Sequence, residues 1–425
     1  MIEIKYIEDT LVGNKYKPGQ FFNFRVAIPC VDVDNFALLV EHDGQNNANV
    51  NALMKLAEEG KAPYCVSIGV VAGQLTTPDG NTRIMRMNSY DFFDREYGDF
   101  IVYELIPFVV KKYGIKISND PDMHLVSGGS SGGISAFVVA WFHPDYFHRV
   151  YMSSPSFLAM GRGNEIPYLV RKYETKPLRI FEDWSENEPN DYFGWSRGVD
   201  EVVKESLVFA KYDFGYAYYA GEGHCSRYWD EGEAYKRNEW LWRDWKTKPI
   251  KALGNSDRVE KVIPFGSTWE KCVEFPNKPD VVFPPALATN YKTVVLANDE
   301  HMWYVSGEKE DIIYSYVNNG GYESGNANLH AVLHTIPRIS KNGVLDMAVD
   351  KTDRLYVLTE IGIQCVRSFG LIDVILDLPD GSTPLKIAVT DALYVQTEEG
   401  TYKRPLCPAC ITEGEEKRKQ VSYYD

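Results

Sequence analysis

The segment Met123–Gly133, with the sequence MHLVSGGSSGG, decides the fold expected for this chain. A short apolar run ends in glycines, and an apolar pattern with helical spacing begins directly after them. Residues 128–132 match the pattern Gly-x-Ser-x-Gly, in which a strand enters a tight turn, a serine lies at the tip and a helix leaves. Glycines flank the serine because a Cβ atom there would collide with the neighbouring strand or helix. The pattern favours a nucleophile at Ser130, with a Gly/Ser-rich surface loop as the alternative.

Strand-like and helix-like segments alternate on both sides of this turn. Strands are predicted at residues 22–29, 36–43, 64–71, 149–153, 178–181 and 214–220. Helices are predicted at residues 49–59, 96–113 and 199–210, and another ends near Trp245. Strands that alternate with helices are typical of a parallel α/β sheet, and the turn at Ser130 favours the α/β-hydrolase form of it.

The pattern changes after Trp245. Residues 246–290 hold several prolines and show little periodicity, and from Thr293 short strands recur between turn residues. We therefore predict an α/β-hydrolase domain at 1–248, a linker at 249–290 and a smaller all-β domain at 291–425. The length of that last domain allows about three four-stranded blades, too few for an ordinary closed propeller. A partial, propeller-like module is expected, and a sandwich is the alternative.

The composition is that of an acidic globular protein. The 425 residues carry a formal net charge of −15, which argues against a nucleic-acid partner because such a partner requires a basic surface. No window has the apolar length of a membrane-spanning helix, so no membrane partner is expected. The first residues lack the basic and then apolar pattern of a secretory signal. This predicts a cytoplasmic protein, with a secreted or periplasmic location left open if a signal has been removed.

The cysteines do not indicate a metal site. They are seven in number and scattered, and most lie in apolar, strand-like segments, which is typical of reduced thiols. Cys407 and Cys410 form a CxxC pair that no second pair of ligands accompanies, so a terminal loop is favoured over a zinc site. The sequence therefore predicts neither a metal nor another cofactor, and it leaves the oligomeric state open.

A serine nucleophile needs a base that takes its proton and an acid that orients this base. In α/β-hydrolases the chain order is serine, acid, histidine. Among the histidines that follow Ser130 in the first domain, His143 and His148 lie in or just past the helix that leaves the turn. His224 follows an aromatic strand in the glycine-rich sequence AGEGHC at 220–225. His224 is the predicted base, and a surface-loop histidine is the alternative.

The acid is expected in the polar segment after the strand that precedes it, at residues 182–191. Five carboxylates compete there, and a segment so polar is expected to be mostly a solvated loop. Glu188 is the first candidate, and Asp191 and Glu186 are the next ones. The sequence alone leaves this choice open.

Two backbone N–H groups are candidates for an oxyanion hole. Ser131 follows the nucleophile at a helix N-terminus, where its N–H can stabilise developing negative charge. The second donor is expected from the loop after an early strand, which has the sequence HDGQ at 42–45. Gly44 permits the turn there, and the N–H of Gln45 is the candidate; a simple turn between strand and helix is the alternative.

The first 245 or so residues resemble the enterochelin-esterase-like branch of the α/β-hydrolases, which includes the feruloyl and acetyl xylan esterases of carbohydrate esterase family one. The resemblance implies a serine carboxylesterase that forms an acyl-enzyme on a small-molecule or oligosaccharide ester. It rests on HDGQN at 42–46, Arg86–Tyr90, Phe100–Pro107, GGSSGG at 128–133, MSSPSF at 152–157, GEGH at 221–224 and the Trp-rich run at 240–245.

The sequence departs from this branch at the acid. The branch carries an aspartate before a Gly and a Trp, and counting back from Trp195 places that position on Asn187 or, with one inserted residue, on Glu188. An asparagine would orient the imidazole without stabilising its charge, whereas a glutamate would do both.

The last domain resembles the end of gluconolactonase/regucalcin-like propellers, a combination that matches bacterial fusions of the two families. The resemblance rests on LDMAVDKTDRLYVLT at 345–359, GIQCV at 362–366 and Tyr402–Arg404. The metal-binding aspartate of those lactonases corresponds to Leu345 here. The resemblance therefore implies a domain without metal or lactonase activity, which is structural or shapes the esterase site.

The acyl group and the alcohol of the substrate are less defined. The resemblance and the aromatic content, 28 Tyr and 9 Trp, indicate hydroxycinnamoyl (feruloyl) or acetyl esters of plant cell-wall saccharides. Tyr228 and Trp229, near the histidine loop, are candidates for lining a pocket. The alternatives are a siderophore ester of the enterochelin type, for which Arg86 would supply positive charge, and a non-catalytic saccharide-binding protein.

Overall fold

The apolar runs around Ser130 lie at the centre of a mixed β-sheet in the computed structural model of the protein. The structure describes residues 2–158, 163–191, 194–278, 282–318, 327–379 and 383–412. The chain divides into two units. Unit 1 comprises Met1–Arg171 and Thr175–Leu253, and unit 2 comprises Lys172–Glu174 and Gly254–Asp425.

A ten-stranded sheet forms the centre of the described part of unit 1. The strands of unit 1 are β1 (Ile4–Val12), β2 (Phe21–Pro29), β3 (Ala37–His42), β4 (Cys65–Val70), β5 (Gln74–Thr76), β6 (Thr82–Ile84), β7 (His124–Gly129), β8 (Arg149–Ser153), β9 (Arg179–Asn187), β10 (Asn190–Asp191), β11 (Gly194–Trp195) and β12 (Asp213–Gly223). Strands β12, β9, β8, β7, β3 and β4 pair in that order and run parallel. Strand β2 pairs antiparallel with β4, β1 and β5, and β5 pairs with β6; β10 and β11 form a separate ribbon.

Helices connect the parallel strands. They are α1 (Asn47–Glu58), α2 (Arg86–Tyr90), α3 (Glu96–Phe100), α4 (Ile106–Tyr113), α5 (Ser131–Phe142), α6 (Ile166–Val170), α7 (Ser196–Phe209) and α8 (Glu231–Leu241). The helix predicted at 96–113 is interrupted by a π-helical turn at Ile101–Leu105. Pro107 lies in the first turn of α4 and has no N–H for an i→i−4 hydrogen bond, which explains the wider turn before it.

Burial follows the position of each element in the sheet. Every residue of β3 and β4 is buried, as is typical of parallel strands covered on both faces. Helix α5 is buried over nearly its whole length, from Ser131 to Trp141, so it is a central helix of unit 1. The alternating pattern and the α/β fold class predicted from the sequence agree with this mixed sheet.

The polar segment 182–191 was predicted to be mostly a solvated loop, and this is wrong for its first part, because residues 182–187 form the second half of strand β9. The prediction agrees with Glu186, Asn187 and residues 189–191, which are exposed. Glu182 and Asp183 are buried, because β9 lies between β8 and β12 in the sheet. Asp183 accepts hydrogen bonds from the hydroxyls of Tyr151 (2.6 Å) and Ser153 (2.7 Å). Burial raises the pKa of Asp183, and the hydrogen bonds from these two hydroxyls on the neighbouring strand act in the opposite direction.

Unit 2 contains three four-stranded antiparallel sheets in its described part. The strands are β13 (Glu270–Cys272), β14 (Thr293–Leu296), β15 (Met302–Ser306), β16 (Ile312–Val317), β17 (Asn328–Val332), β18 (Asp346–Val349), β19 (Leu355–Thr359), β20 (Gly362–Val366), β21 (Ile372–Leu376), β22 (Pro384–Val389), β23 (Leu393–Thr397) and β24 (Gly400–Arg404), with helices α9 (Asp257–Glu260), α10 (Pro285–Asn290) and α11 (Pro408–Ile411). The sheets are β14–β17, β18–β21, and β22–β24 with β13 added beside β24. A propeller-like arrangement of these sheets remains a proposal.

The segment predicted to be a linker, 249–290, carries part of the core of unit 2. Val259, Val262 and Ile263 are fully buried in the same cluster as Tyr356 and Leu393. Strand β13 also lies in this segment. The apolar residues of segment 249–290 are too few and too irregularly spaced for the sequence to predict this packing.

Candidate active site

Ser130 lies at the tip of a strained turn between β7 and α5. Its backbone has φ 56° and ψ −127°, in a region that residues with a side chain rarely adopt. A Cβ atom at Gly128 would lie 2.2 Å from the carbonyl oxygen of Gly132, so only glycine fits at Gly128. A nucleophile held in this way protrudes from the carboxyl edge of the sheet, as the sequence pattern predicts.

The segment that follows β8 frames this serine. The Oγ atoms of Ser130 and Ser156 are 2.9 Å apart and hydrogen-bonded. The N–H of Ser130 donates to the carbonyl of Ser153 (2.9 Å), and the N–H of Ser156 donates to the carbonyl of Ser130 (3.2 Å). Among the described residues, the side-chain partner of Ser130 is therefore Ser156 and not His224.

His224 and Glu188 form a short hydrogen bond. Nδ1 of His224 lies 2.5 Å from Oε2 of Glu188. The other oxygen of Glu188 accepts a hydrogen bond from the hydroxyl of Ser154 (2.5 Å) and from the N–H of Ser185 (3.3 Å). Hydrogen bonds to Cys225 and Glu188 raise the pKa of His224 to about 10. With Nδ1 bound to the carboxylate, Nε2 is the nitrogen left for proton transfer.

The register of two neighbouring strands brings these two side chains together. Strand β12 pairs parallel with β9, and Gly223 lies opposite Asn187. His224 and Glu188 each follow one of these paired residues. Glu186 accepts a hydrogen bond from the N–H of Gly221 (2.6 Å), so this carboxylate holds the backbone of the histidine loop. Of the candidate acids, Glu188 is the one that contacts the imidazole.

One cavity of about 380 Å³ collects most of the candidate residues. Its wall includes the candidates Arg86, Ser130, Ser131, Glu188, Asp191 and His224. Its apolar wall includes Met87, Pro155, Phe157, Leu158, Trp184 and Pro189. Ser131 is the first residue of α5, so its N–H belongs to the turn whose N–H groups have no partner within the helix. The cavity thus combines a serine, an imidazole–carboxylate pair and a helix N-terminus.

Other candidates lie outside the wall of this cavity. Gln45 donates from its side chain to Ser67 (3.1 Å), and its backbone packs against Gly69. Tyr228 is buried in the core and stacks on Tyr151 at 5.8 Å, and Trp229 is exposed beside it. The sequence favoured Tyr228 and Trp229 by their distance along the chain from His224, which does not reveal the direction of a side chain.

The charge of Arg86 is compensated at the cavity. Its Nε and Nη2 atoms donate to the two carboxylate oxygens of Asp43 at 2.8 and 2.7 Å. The backbone N–H of Asp43 donates to the hydroxyl of Tyr90 (3.1 Å). Arg86 therefore lines the cavity as one partner of an ion pair, and its positive charge is balanced by Asp43.

The sequence analysis missed three residues that contact the proposed triad. They are Ser154, which bonds Glu188; Ser156, which bonds Ser130; and Cys225, which neighbours His224. A signal for the serines was present in MSSPSF at 152–157, because carboxyl ends of neighbouring parallel strands meet at the same edge of a sheet. Strand β8 is the direct neighbour of β7, so residues after β8 must lie beside Ser130.

Metal ligands are not grouped in the described ranges. No set of three or more His, Cys, Asp or Glu side chains there is placed to hold a metal ion. Cys407 and Cys410 are free thiols that contact the backbone carbonyls of Glu260 and Lys261.

No helix in the described part of the chain is long and apolar enough to cross a membrane.

Several solved structures are similar to part of the chain. A ferulic acid esterase is 16% identical, and the match covers 56% of this chain and 98% of that one, with a TM-score of 0.42. An enterochelin esterase from Shigella flexneri is 19% identical, with 57% and 59% covered and a TM-score of 0.42. A siderophore hydrolase from Aspergillus nidulans is 17% identical, with 57% and 96% covered and a TM-score of 0.41. No curated protein sequence matches significantly.

The family assignment rests on the sequence of unit 1 and the start of unit 2. Residues 29–274 match the model of the Esterase family. This range is more than half of the chain, and it contains the turn at Ser130, strand β9 and the loop of His224. The protein belongs to the Esterase family.

Proposed function

We propose that the protein is a serine carboxylesterase in which Ser130 is the nucleophile, His224 the base and Glu188 the acid that orients it. The observation that carries this proposal is the hydrogen bond between His224 Nδ1 and the buried Glu188, in the wall of the cavity that also contains Ser130. Glu188 keeps a full charge-assisted bond to the imidazole, which an asparagine at this position would lack.

The reaction proceeds in two halves. The Oγ–H of Ser130 leaves Ser156 and passes its proton to Nε2 of His224 while Oγ attacks the ester carbonyl. The N–H of Ser131 stabilises the oxyanion, and His224 returns the proton to the departing alcohol. Water then attacks the acyl-enzyme with His224 as base, which releases the carboxylic acid and restores Ser130. Gln45 remains the proposed second oxyanion donor, although its backbone packs on Gly69 rather than lining the cavity.

A hydroxycinnamoyl (feruloyl) or acetyl ester of a plant cell-wall saccharide is the proposed substrate. The rings of Phe157 and Trp184 line the cavity together with Leu158 and Pro189. Such a wall favours a flat aromatic or small acyl group, since burying apolar surface is favourable and planar rings pack well against one another. A volume of about 380 Å³ accommodates an acyl group of that size.

A siderophore ester of the enterochelin type is the second candidate, and Arg86 in the cavity wall is the observation in its favour. A ferric catecholate is strongly anionic and would require unpaired positive charge. Arg86 is bound to Asp43, and the same wall holds the carboxyl groups of Asp91 and Asp191. The balance of charge therefore favours a neutral ester.

The test compares the wild-type chain with Ser130→Ala and Glu188→Gln on methyl ferulate, 4-nitrophenyl acetate and a catecholate trilactone. We expect turnover of the first two esters and its loss in Ser130→Ala. A fluorophosphonate probe followed by peptide mass spectrometry should label Ser130. No turnover by the wild type and no labelled serine would contradict the proposal and favour a saccharide-binding protein. Turnover of the trilactone alone would favour the siderophore ester.

A further inference from the structure

Asp91 is a buried carboxyl group in the wall of the proposed active-site cavity. It follows α2 directly and is 2% exposed. Its Oδ1 atom is buried and has no hydrogen-bond partner among the described residues. Burial raises the pKa of Asp91, and the neighbouring hydroxyl of Ser131 and guanidinium of Arg86 counteract this only in part.

An oxygen of this kind is costly unless something donates to it. A buried acceptor without a partner costs on the order of 1–3 kcal/mol. The guanidinium of Arg86 is already engaged, because it binds Asp43 in a bidentate pair, and the hydroxyl of Ser131 hydrogen-bonds to the carboxyl group of Asp91. Asp91 also lines the cavity in which the substrate of the proposed esterase would bind.

We infer that Asp91 is a specificity-determining residue that accepts a hydrogen bond from a hydroxyl group of the substrate. This inference rests on the proposed function and narrows it to esters that carry a hydroxyl group close to the scissile bond. Asp91 lies close to the scissile bond because its neighbour Ser131 directly follows the proposed nucleophile, Ser130.

A hydroxyl donor fits the site better than an anion or an apolar group. An anionic substituent would meet Asp91, Asp191 and Glu188, and an apolar one would leave the buried oxygen unpaired. A site built to bind a hydroxyl group rejects an analogue that lacks it more strongly than an apolar pocket rejects an extra group. The hydroxyl could belong to a phenolic acyl group or to the saccharide alcohol, and the two sources are separated by experiment.

Two pairs of esters test the inference. Methyl 4-hydroxycinnamate and methyl cinnamate differ by a phenolic hydroxyl, and glycerol 1-acetate and propyl acetate differ in hydroxyls of the alcohol. For the wild type, we expect kcat/KM to favour the hydroxylated member of one pair by about 10- to 100-fold. In Asp91→Ala this ratio should fall towards one, partly because the ester without the hydroxyl improves. The pair that responds identifies the source of the hydroxyl.

Asp94→Ala is the matched control. Asp94 is buried on the same segment and accepts a hydrogen bond from the N–H of Glu96 (2.9 Å), but it is not among the residues that line the cavity. Its replacement should affect stability and leave the ratio unchanged. If Asp91→Ala does not fold, Asp91→Asn keeps the shape and should lower the ratio in part, because an amide oxygen is a weaker acceptor than a carboxylate.

The outcomes separate the inference from the function on which it rests. Turnover by the wild type with the same ratio in Asp91→Ala, Asp91→Asn and the wild type would overturn the role of Asp91 and leave the esterase intact. No turnover of any of the four esters, together with no fluorophosphonate label on Ser130, would overturn both.

Discussion

At the scale of single residues, Glu188 connects the base of the proposed triad to the body of the protein. One oxygen contacts His224, and the other accepts hydrogen bonds from Ser154 and Ser185. The carboxylate side chain is 1% exposed, whereas the imidazole is 36% exposed. A buried, fully bonded carboxylate fixes both the orientation and the charge of its partner.

The first prediction concerns the charge of Glu188. Glu188→Gln keeps the shape of the side chain but loses the charge that stabilises the imidazolium. We expect kcat for methyl ferulate to fall by about 10³- to 10⁴-fold, the scale known for removing this charge from a serine triad. Circular dichroism should show an unchanged fold.

Glu186→Gln is the matched control, because Glu186 bonds the backbone N–H of Gly221 and not the imidazole. An amide oxygen can still accept that hydrogen bond. We expect a loss in kcat of less than about tenfold. Equal losses in Glu186→Gln and Glu188→Gln would contradict the proposed role of Glu188.

The second prediction concerns the pH dependence of the base. Hydrogen bonds to Cys225 and Glu188 raise the pKa of His224 to about 10, so His224 holds its proton more tightly than a free histidine. A base must be unprotonated, so kcat/KM should rise with pH between about 6.5 and 10. In Cys225→Ala the pKa falls, and the rising limb of the profile should move to lower pH by about one unit or more. If kcat/KM rises over the same pH range in the wild type and in Cys225→Ala, the proposed effect of Cys225 on the pKa of His224 is contradicted.

At the scale of elements, the turn between β7 and α5 depends on close contact of their backbones. The third prediction is that Gly128→Ala abolishes ester hydrolysis and destabilises unit 1. Its Cβ would lie 2.2 Å from a backbone oxygen of α5, which cannot move without opening the helix. Overpacking of this kind costs about 1–3 kcal/mol or more.

Gly129→Ala provides the control for the turn. The nearest atom to its Cβ is the Sγ atom of Cys225 at 3.2 Å, which belongs to a side chain. We expect a smaller drop in the melting temperature than for Gly128→Ala, measured by calorimetry on the full chain. A larger drop in Gly129→Ala would show that the turn is not limited by the backbone contact.

The fourth prediction concerns the junction of β3, α1 and β4. Glu41 is fully buried there and accepts hydrogen bonds from Asn46, Asn49 and Ser67. Burial raises the pKa of Glu41 to about 7, so the folded protein binds a proton that the unfolded chain has released above about 4.5. Stability from this group is therefore lost as pH rises from about 4.5 to 7, by about 3 kcal/mol at most.

Thermal unfolding of the wild type and Glu41→Gln at pH 5 and pH 8 tests this. The uncharged amide cannot titrate, so the difference in melting temperature between the two pH values should shrink in the variant. If the melting temperature differs between pH 5 and pH 8 by the same amount in the wild type and in Glu41→Gln, the pH dependence belongs to other buried carboxyl groups, such as Asp183 and Asp200.

The sequence predicted those elements whose pattern has a local cause. Glycines at fixed positions reveal the turn at Ser130, and buried apolar runs reveal β3, β4 and β8. The second half of β9 was missed because the buried carboxyl group of Asp183 accepts its hydrogen bonds from β8, and no local sequence pattern records such a contact. The contact between Glu188 and His224 likewise depends on strand register, so the sequence left the acid open among Glu186, Glu188 and Asp191.

At the scale of the whole molecule, the net charge of −15 acts on any charged substrate before it binds. The fifth prediction is that salt affects anionic and neutral esters differently. For 4-acetoxybenzenesulfonate, kcat/KM should rise a few-fold between low and high ionic strength, because salt screens the repulsion. For 4-nitrophenyl acetate it should stay nearly constant. An anionic ester that is hydrolysed more slowly at high salt would indicate a positive entrance to the cavity.

The two units also differ in how well the sequence predicts them. For unit 1 the order of strands and helices identifies the fold class, since parallel sheets require helical crossovers. For unit 2 the recurrent short strands predict three sheets, but β13 was assigned to a linker. It pairs with β24, more than a hundred residues away in the chain, and such pairing leaves no periodic signal in three residues.

The pairing of Gly223 with Asn187 has a consequence for how this family can evolve. Loss of one residue at the end of β9 would move Glu188 by about 3.3 Å along the sheet and turn it to the opposite face. The contact with His224 would be restored by a compensating change of length at the end of β12, or by a glutamate at an adjacent position in the chain. Insertions and deletions at these two strand ends should therefore be inherited in matched pairs. In a relative with an unmatched change there, we expect the contact between the proposed acid and the histidine to be lost, and ester hydrolysis with it.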